Sequence, residues 1–310
     1  MSSSSNNLGP ALTRRPQAGR SQTSAARARR IAAVAFLAPA VVMLIIVRLL
    51  PAGDALFSGL FHYSLVAGQE SWVGLQNYVD LFTSGRFWNS VGITLLFSII
   101  INPLQIAIAL ALAVLFTQRM HGSVLWRSLV ILPVAAPGAV STIIWGVIYR
   151  PDGLANAFLG ALGIPPQPYV ISTGQALMSI IILLSWGGVG YWMMFLIAGI
   201  NDVPRELHEA ASLDGASAWR RFWRITFPLI RRPLAFVLVA DTISNFLVFA
   251  PVQVLTQGGP QGSTNLLMFD IYERAYKLGD LNTANAEVVI LIAITLVIVA
   301  VQFRLLRSSE

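Results

Sequence analysis

Asp241 and Asn245 stand one helical turn apart inside the apolar run 234–256. An ionisable group at that depth is costly and faces a cavity or a partner. The pair is therefore placed either to line a path for a polar solute or to bond across packed helices, as Asp and Asn also do in membranes. Asn102 and Gln105 flank Pro103 in another apolar run, 91–117. They offer amides to the same path, or relieve the backbone groups that a proline frees. Trp186 and Tyr191, with Trp145 and Trp192, present rings able to stack on sugars or quaternary ammonium groups, or to sit in an interfacial belt. Gly187, Gly188 and Gly190 lie among them, as a weak spot or a close-packing site.

None of these residues composes a reaction centre. The chain has no cysteine, and His62, His121 and His208 lack metal-ligand spacing. It carries neither a glycine-rich phosphate cradle with its lysine nor a nucleophile elbow. We expect no enzyme here, no metal and no cofactor held by this chain.

A second group of residues is polar and lies between apolar runs: Glu209-Ala210-Ala211-Ser212-Leu213-Asp214-Gly215-Ala216, with Pro228 beyond. Asp202 is placed to cap a helix, with Pro204 in its first turn. Leu207, Ala210 and Ala211 share one face, flanked by Glu206 and Glu209. Gly215 suits the left-handed position that ends a helix. A second helical stretch from about Ala216 sets Trp219, Phe222 and Trp223 against Arg220, Arg221 and Arg224, and Pro228 closes it. The small alanines permit close approach by a partner's groove, and the carboxylates supply oriented charge. An ordinary amphipathic interfacial helix has the same composition.

The elements that must position these groups follow from composition. The 310 residues are 55% apolar and 11% charged, with mean hydropathy +0.68. Soluble domains carry about 25% charged residues, so the surrounding solvent is lipid. Apolar runs at 31–47, 91–117, 128–149, 174–200, 234–256 and 288–303 are long enough to span, or become so by short extensions past Arg48 and Glu287. Backbone groups in lipid must be satisfied within the segment, so helices are expected.

Arginine sets the orientation. Arg14, Arg15, Arg20, Arg27, Arg29 and Arg30 precede the first run. Arg119 and Arg127 lie between the second and third. Arg205, Arg220, Arg221, Arg224, Arg231 and Arg232 lie between the fourth and fifth, and Arg304 and Arg307 follow the last. The alternate loops hold only Arg86, Arg150, Arg274 and Lys277, with Arg48 at the border. The expected fold is an all-α, multi-pass membrane protein with six transmembrane helices and both termini cytoplasmic. Residues 1–30 form a basic tail, expected to be disordered, and 31–310 the membrane domain. The net charge of +7 is then explained by topology, with no nucleic-acid partner.

The Glu-Ala-Ala, Asp-Gly and Pro228 spacing resembles the EAA loop of permeases from binding-protein-dependent ABC importers. Val73-Gly74-Leu75-Gln76-Asn77-Tyr78, Gly153-Leu154-Ala155-Asn156, Thr256-Gln257-Gly258-Gly259-Pro260 and Val301-Gln302-Phe303-Arg304 are similar to segments of the carbohydrate-uptake branch, of maltose and glycerol-3-phosphate type. The resemblance covers about residue 31 to the end. It implies a type I importer permease in a bacterial plasma (inner) membrane. A second, related permease completes a heterodimer, two ATPase subunits bind ATP and Mg, and an extracellular or periplasmic binding protein delivers the substrate. It also implies that Glu209, Ala210, Ala211, Asp214 and Gly215 carry ATPase docking. The substrate is then a polar solute, either glycerol-3-phosphate or a glycerophosphodiester, or a sugar. The rival reading from the residues alone is a secondary transporter driven by an ion gradient, for which only Asp241 offers a coupling carboxylate.

Overall fold

The computed structural model describes residues 20–64, 69–118 and 122–307. Most of the expected 1–30 tail lies outside the described residues. The chain divides into two units, Met1–Asp54 and Ala55–Glu310. In the first, helix α1 (Arg20–Leu44) passes through a π-helical turn at Ile45–Leu49 into α2 (Leu50–Ser58). The apolar part, Ile31–Ser58, has 28 residues and a mean hydropathy of 2.6, long enough to cross a bilayer.

The second unit begins with a short antiparallel hairpin, β1 (Phe61–Ser64) and β2 (Gln69–Trp72), in a register that pairs Phe61 with Trp72. Their rings meet edge to face at 5.1 Å. This hairpin departs from the all-α expectation for the fold. Helix α3 (Gln76–Thr83) is pinned beneath it. The buried Asn77 amide donates to the carbonyls of Gly59 and Phe61, both at 2.8 Å.

Ser84 caps α4 (Gly85–Thr117), its hydroxyl accepting from the Phe87 N–H. With 33 residues, α4 is about 50 Å long, well beyond the ~30 Å hydrocarbon layer. It packs along α8 (Ala176–Asn201). One half of the seam joins Phe97 and Ile101 to Ile180 and Ile181. The other half sets Ala109 and Ala113 against Trp192, Met193 and Leu196. Two alanines one turn apart let the backbones approach, as small residues do where lipid provides no hydrophobic drive.

Two of the expected spans are not continuous helices. The run 128–149 becomes α5 (Ser123–Ile131), a 3₁₀ turn to Ala135, and α6 (Gly138–Ile148), bent by 100°. Ala136 is extended, at ψ 129°, because it precedes Pro137. Beyond it, α7 (Leu154–Ala161) packs in the following loop. A Cβ at Gly153 would lie 2.5 Å from the Ile148 carbonyl, so only glycine fits there.

The run 234–256 is cut in the same way. After α9 (Arg205–Leu213), α10 (Ala218–Arg221) and the single turn α11 (Phe227–Leu229), α12 (Arg231–Phe246) has 16 residues. That is about 24 Å, short of a full crossing. The chain then opens, and a π-helical turn runs from Val252 to Thr256. Pro251 has no N–H with which to continue the ladder. Among the described residues, four helices are long and apolar enough to cross a membrane, or five with the bent pair.

Helices α13 (Leu267–Tyr272) and α14 (Leu281–Arg307) complete the unit, joined to the start of α4 by charge. Arg86 pairs with both Asp270 and Glu273. Arg274 pairs with Asp270 at 3.1 Å and Glu287 at 2.9 Å, and Lys277 with Glu273 at 3.2 Å. Asp270 and Glu287 are fully buried. The Asn265 amide also donates to Asp270 at 2.9 Å and to Ser90 at 2.7 Å.

Removing one partner of a buried pair strands the other charge. Asp270→Ala is therefore expected to destabilise the protein by ~3 kcal/mol or more. Lys277→Ala, at an exposed pair, should cost no more than about 1 kcal/mol. Thermal unfolding of the purified variants in one detergent checks the contrast; equal losses would show that the cluster is not a clamp.

Candidate functional site

The polar face of α12 meets α4 through amides. The Asn245 side chain donates to Asn102 Oδ1 at 2.7 Å and to Gln105 Oε1 at 3.2 Å. Asn102 donates to Ser98 at 2.8 Å and to the Thr242 hydroxyl at 3.1 Å. From α14, Gln302 donates to Thr242 at 2.8 Å. The α-helical period brings Asp241, Thr242 and Asn245 to this seam, and Asn102 and Gln105 face them across it. Pro103 lies within an unbroken α4.

Asp241 is 1% exposed. Its Oδ2 is enclosed without a hydrogen-bond partner. It lines a cavity of about 360 Å³, within the ~300–1,000 Å³ of small-molecule sites. The walls come from four places: Gln105 of α4; Pro133, Ala136, Gly138 and Ser141 around the 100° bend; Leu183, Gly187, Gly188, Tyr191 and Trp192 of α8; and Asp241, Ser244, Asn245, Val248 and Pro251 of α12 and its break. No arginine, lysine or histidine is among the lining residues.

The structure thus brings Gln105, Tyr191, Asp241 and Asn245 to one cavity. Asn102 sits behind it, holding Asn245. Trp186 does not line it; its ring packs edge to face on Trp145 at 5.8 Å. Sequence reasoning missed the bend residues Ala136, Gly138 and Ser141, and Ser244, Val248 and Pro251 around Asn245. Pro133, Pro137 and Pro251 were the available signal. Of the three glycines, Gly190 is a close-packing site, since a Cβ there would lie 2.3 Å from the Val130 carbonyl. Gly187 faces open space in the cavity wall.

The other predicted residues lie on α9. Its end is a Schellman cap: the Ala216 N–H bonds the Ala211 carbonyl at 2.9 Å, and the Gly215 N–H bonds Ser212 at 3.1 Å. Gly215 has φ +75°, which a side chain rarely adopts. Glu209, Ala210, Asp214 and Gly215 are exposed and Ala211 is half-buried. Leu213 is 89% exposed, an apolar side chain at the tip of a polar segment. At the other end the expectation fails. Pro204, not Asp202, is the N-cap, and no side chain caps the helix. Asp202 instead terminates α8, whose helical turns continue one residue beyond the apolar run. Pro228 stands one residue before the end of the second stretch. It lies inside α11, which continues directly from a π-helical turn at Phe222–Thr226 and ends one residue later at Leu229.

Comparison with known proteins gives these residues a setting. The family described as "Binding-protein-dependent transport system inner membrane component" matches residues 18–309. The sn-glycerol-3-phosphate transport system permease protein UgpA of Agrobacterium fabrum is 30% identical over 274 residues, covering 88% of this chain and 93% of that protein. The probable ABC transporter permease protein YesP of Bacillus subtilis is 30% identical over 282 residues, covering 90% and 91%. In shape, the chain is similar to one from a bacterial ABC transporter involved in the import of the acidic polysaccharide alginate. The TM-score is 0.79 at 20% identity, over 93% of this chain and 99% of that one.

Filling Gly190 and filling Gly187 should have opposite consequences. Gly190→Ala drives a methyl into the Val130 backbone and is expected to cost ~1–3 kcal/mol. Gly187→Ala adds a methyl to empty cavity and should leave the thermal midpoint within about 1 °C, a change of well under 1 kcal/mol. Parallel melting curves decide it.

Proposed function

We propose that this chain, which belongs to the family of binding-protein-dependent transport system inner membrane components, forms half of an ATP-driven import path for a neutral, polyhydroxylated solute. It is a multi-pass membrane protein and a permease component of an ABC importer. The broken third run and the short fifth run each complete a crossing, giving six passes. Arginine placement sets both termini in the cytoplasm of a bacterial cell. A second, related permease supplies the other half of the path, two ATPase subunits bind and hydrolyse ATP with Mg below, and a binding protein docks above. Family membership and the single intramembrane carboxylate in the cavity both weigh against a gradient-driven carrier.

The cavity carries the substrate reading. It offers the Gln105 amide N–H, the Trp192 ring N–H, the Asp241 carboxylate and the half-exposed ring of Tyr191. That set suits hydroxyl groups and the apolar face of a sugar ring. A phosphate would meet a carboxylate in the cavity with no cation to offset the repulsion. The UgpA relatives carry sn-glycerol-3-phosphate in their names, and the cavity chemistry points this chain toward the sugar alternative instead. Trp186 contributes packing with Trp145 rather than substrate contact.

Coupling is assigned to α9. Glu209, Ala210, Ala211, Asp214 and Gly215 present a short helix whose end is fixed by the left-handed glycine, with Leu213 bare at its tip. An apolar knob on a rigid polar helix fits a groove in a partner. ATPase closure then moves α9 as a rigid body and rocks the permease between inward- and outward-facing forms.

Asp241→Asn keeps the shape but turns an acceptor oxygen into a donor. Uptake KM for the cognate sugar should rise about 10- to 100-fold, as expected for a lost charged hydrogen bond, while ATPase co-purification is unchanged. Unaltered KM would remove Asp241 from the path. Gly215→Asp and Glu209→Arg should abolish substrate-stimulated ATP hydrolysis with normal membrane insertion. Retained stimulation in both would discard the docking role of α9.

A further inference from the structure

A second cavity lies at the arginine-rich side of the molecule. It has about 870 Å³ and is walled by the last turns of α4 and α8 and by the α9–α10 segment. Arg205 and His208 stand one turn apart on α9, and Arg221 faces them from α10. Gln118 and Asn201 add amides from the helix ends. No carboxylate is among the lining residues, although α9 carries Glu206 and Glu209 close by in sequence. The Arg221 Nε is enclosed and has no hydrogen-bond partner. A buried guanidinium donor left unpaired is costly, and nothing in the lining offers it an acceptor of opposite charge.

We propose that this cavity is a site for a phosphate-bearing anion, which ties α9 and α10 to the cytoplasmic ends of α4 and α8. The planar guanidinium of Arg221 suits two oxygens of a phosphate, Arg205 supplies charge from the opposite wall, and the His208 ring adds an N–H donor. The volume accommodates a lipid headgroup or a soluble phosphate with room for a small organic substituent. The path cavity, with its lone carboxylate, and this one, with its unopposed cations, select opposite chemistries. Occupancy here therefore does not compete with substrate. It bears on how firmly α9 is held to the spans.

The test uses the full permease–ATPase complex and reads binding rather than transport, so it stands apart from the substrate and coupling assignments. In neutral detergent, inorganic phosphate is titrated against the thermal midpoint at constant ionic strength, with chloride as the control. In nanodiscs, phosphatidylcholine alone is compared with phosphatidylcholine plus phosphatidylglycerol. Each cation removed beside an anionic ligand weakens binding about fivefold, so Arg205→Gln/Arg221→Gln should shift the half-saturating concentration about 25-fold. Arg221→Lys, which keeps the charge, should recover part of the loss. A phosphate response abolished by the double variant identifies a soluble ligand, and a phosphatidylglycerol response abolished by it identifies a lipid. No response in either arm, or one that survives the double variant, overturns the site. If the double variant does not fold, Arg205→Gln alone is read the same way, with a roughly fivefold shift expected.

Discussion

A carbonyl or N–H freed from a helix inside an apolar slab has no water to bond. Irregular backbone at that depth is tolerated only where it lines a cavity or is sealed by protein. That constraint organises the membrane unit of this chain. Its two interrupted helices break at Ala136–Pro137 and between Phe246 and Pro251. Both breaks contribute walls to the same cavity, beside Asp241. Closing either one into continuous helix would fill the space and leave the carboxylate in hydrocarbon. The amide seam follows from the same need. Asn245 is shared between Asn102 and Gln105, and Thr242 is tied to Asn102 and Gln302, so three helices satisfy one another's polar groups at the level of the breaks.

What could be read in advance depended on whether the signal was local. Gly215 was legible because its role needs only a helix end and a left-handed residue, and the hydrogen bonds from Ala216 and Gly215 show that cap. Asp241 and Asn245 were legible because their spacing alone puts them on one face. The third and fifth runs were misread as continuous spans because hydropathy counts apolar residues and is blind to a missing N–H. Pro133, Pro137 and Pro251 carried the information, but apolar composition was weighed above it. Asp202 failed for a related reason: capping chemistry was assigned to the nearest polar residue, whereas α8 runs one residue past its apolar stretch and Pro204 starts α9 without a side-chain cap.

Non-local structure left no trace in the pattern. Arg86 and Asp270 are separated by 184 residues, and nothing in the spacing of either foretells the other. Glu287 read as a charge tolerated near the end of the last span. In the fold it is fully buried beside Arg274 and helps lock α13 to α14. Trp186 and Tyr191 looked equivalent as candidate ring contacts. Helical rotation separates them: Tyr191 turns to the cavity and Trp186 to Trp145.

The distribution of charge across the unit is itself an argument about motion. At the α4–α13–α14 end, cations and carboxylates neutralise one another and rigidify the contact. At the cavity Asp241 keeps an enclosed oxygen without a hydrogen-bond partner, and on α10 the Arg221 Nε is likewise unpaired. Buried polar groups that satisfy each other fix a structure, whereas those that do not await something from outside. A permease has to hold one end firm while the other yields to a partner. The ion pairs of the α4–α13–α14 end suit the first task, although Arg274 Nη2 and Glu287 Oε1 in that cluster also lack hydrogen-bond partners. Under the proposed coupling, the long packed helices α4 and α8 link the end of α8, where α9 follows, to the cavity wall at Gly187–Trp192.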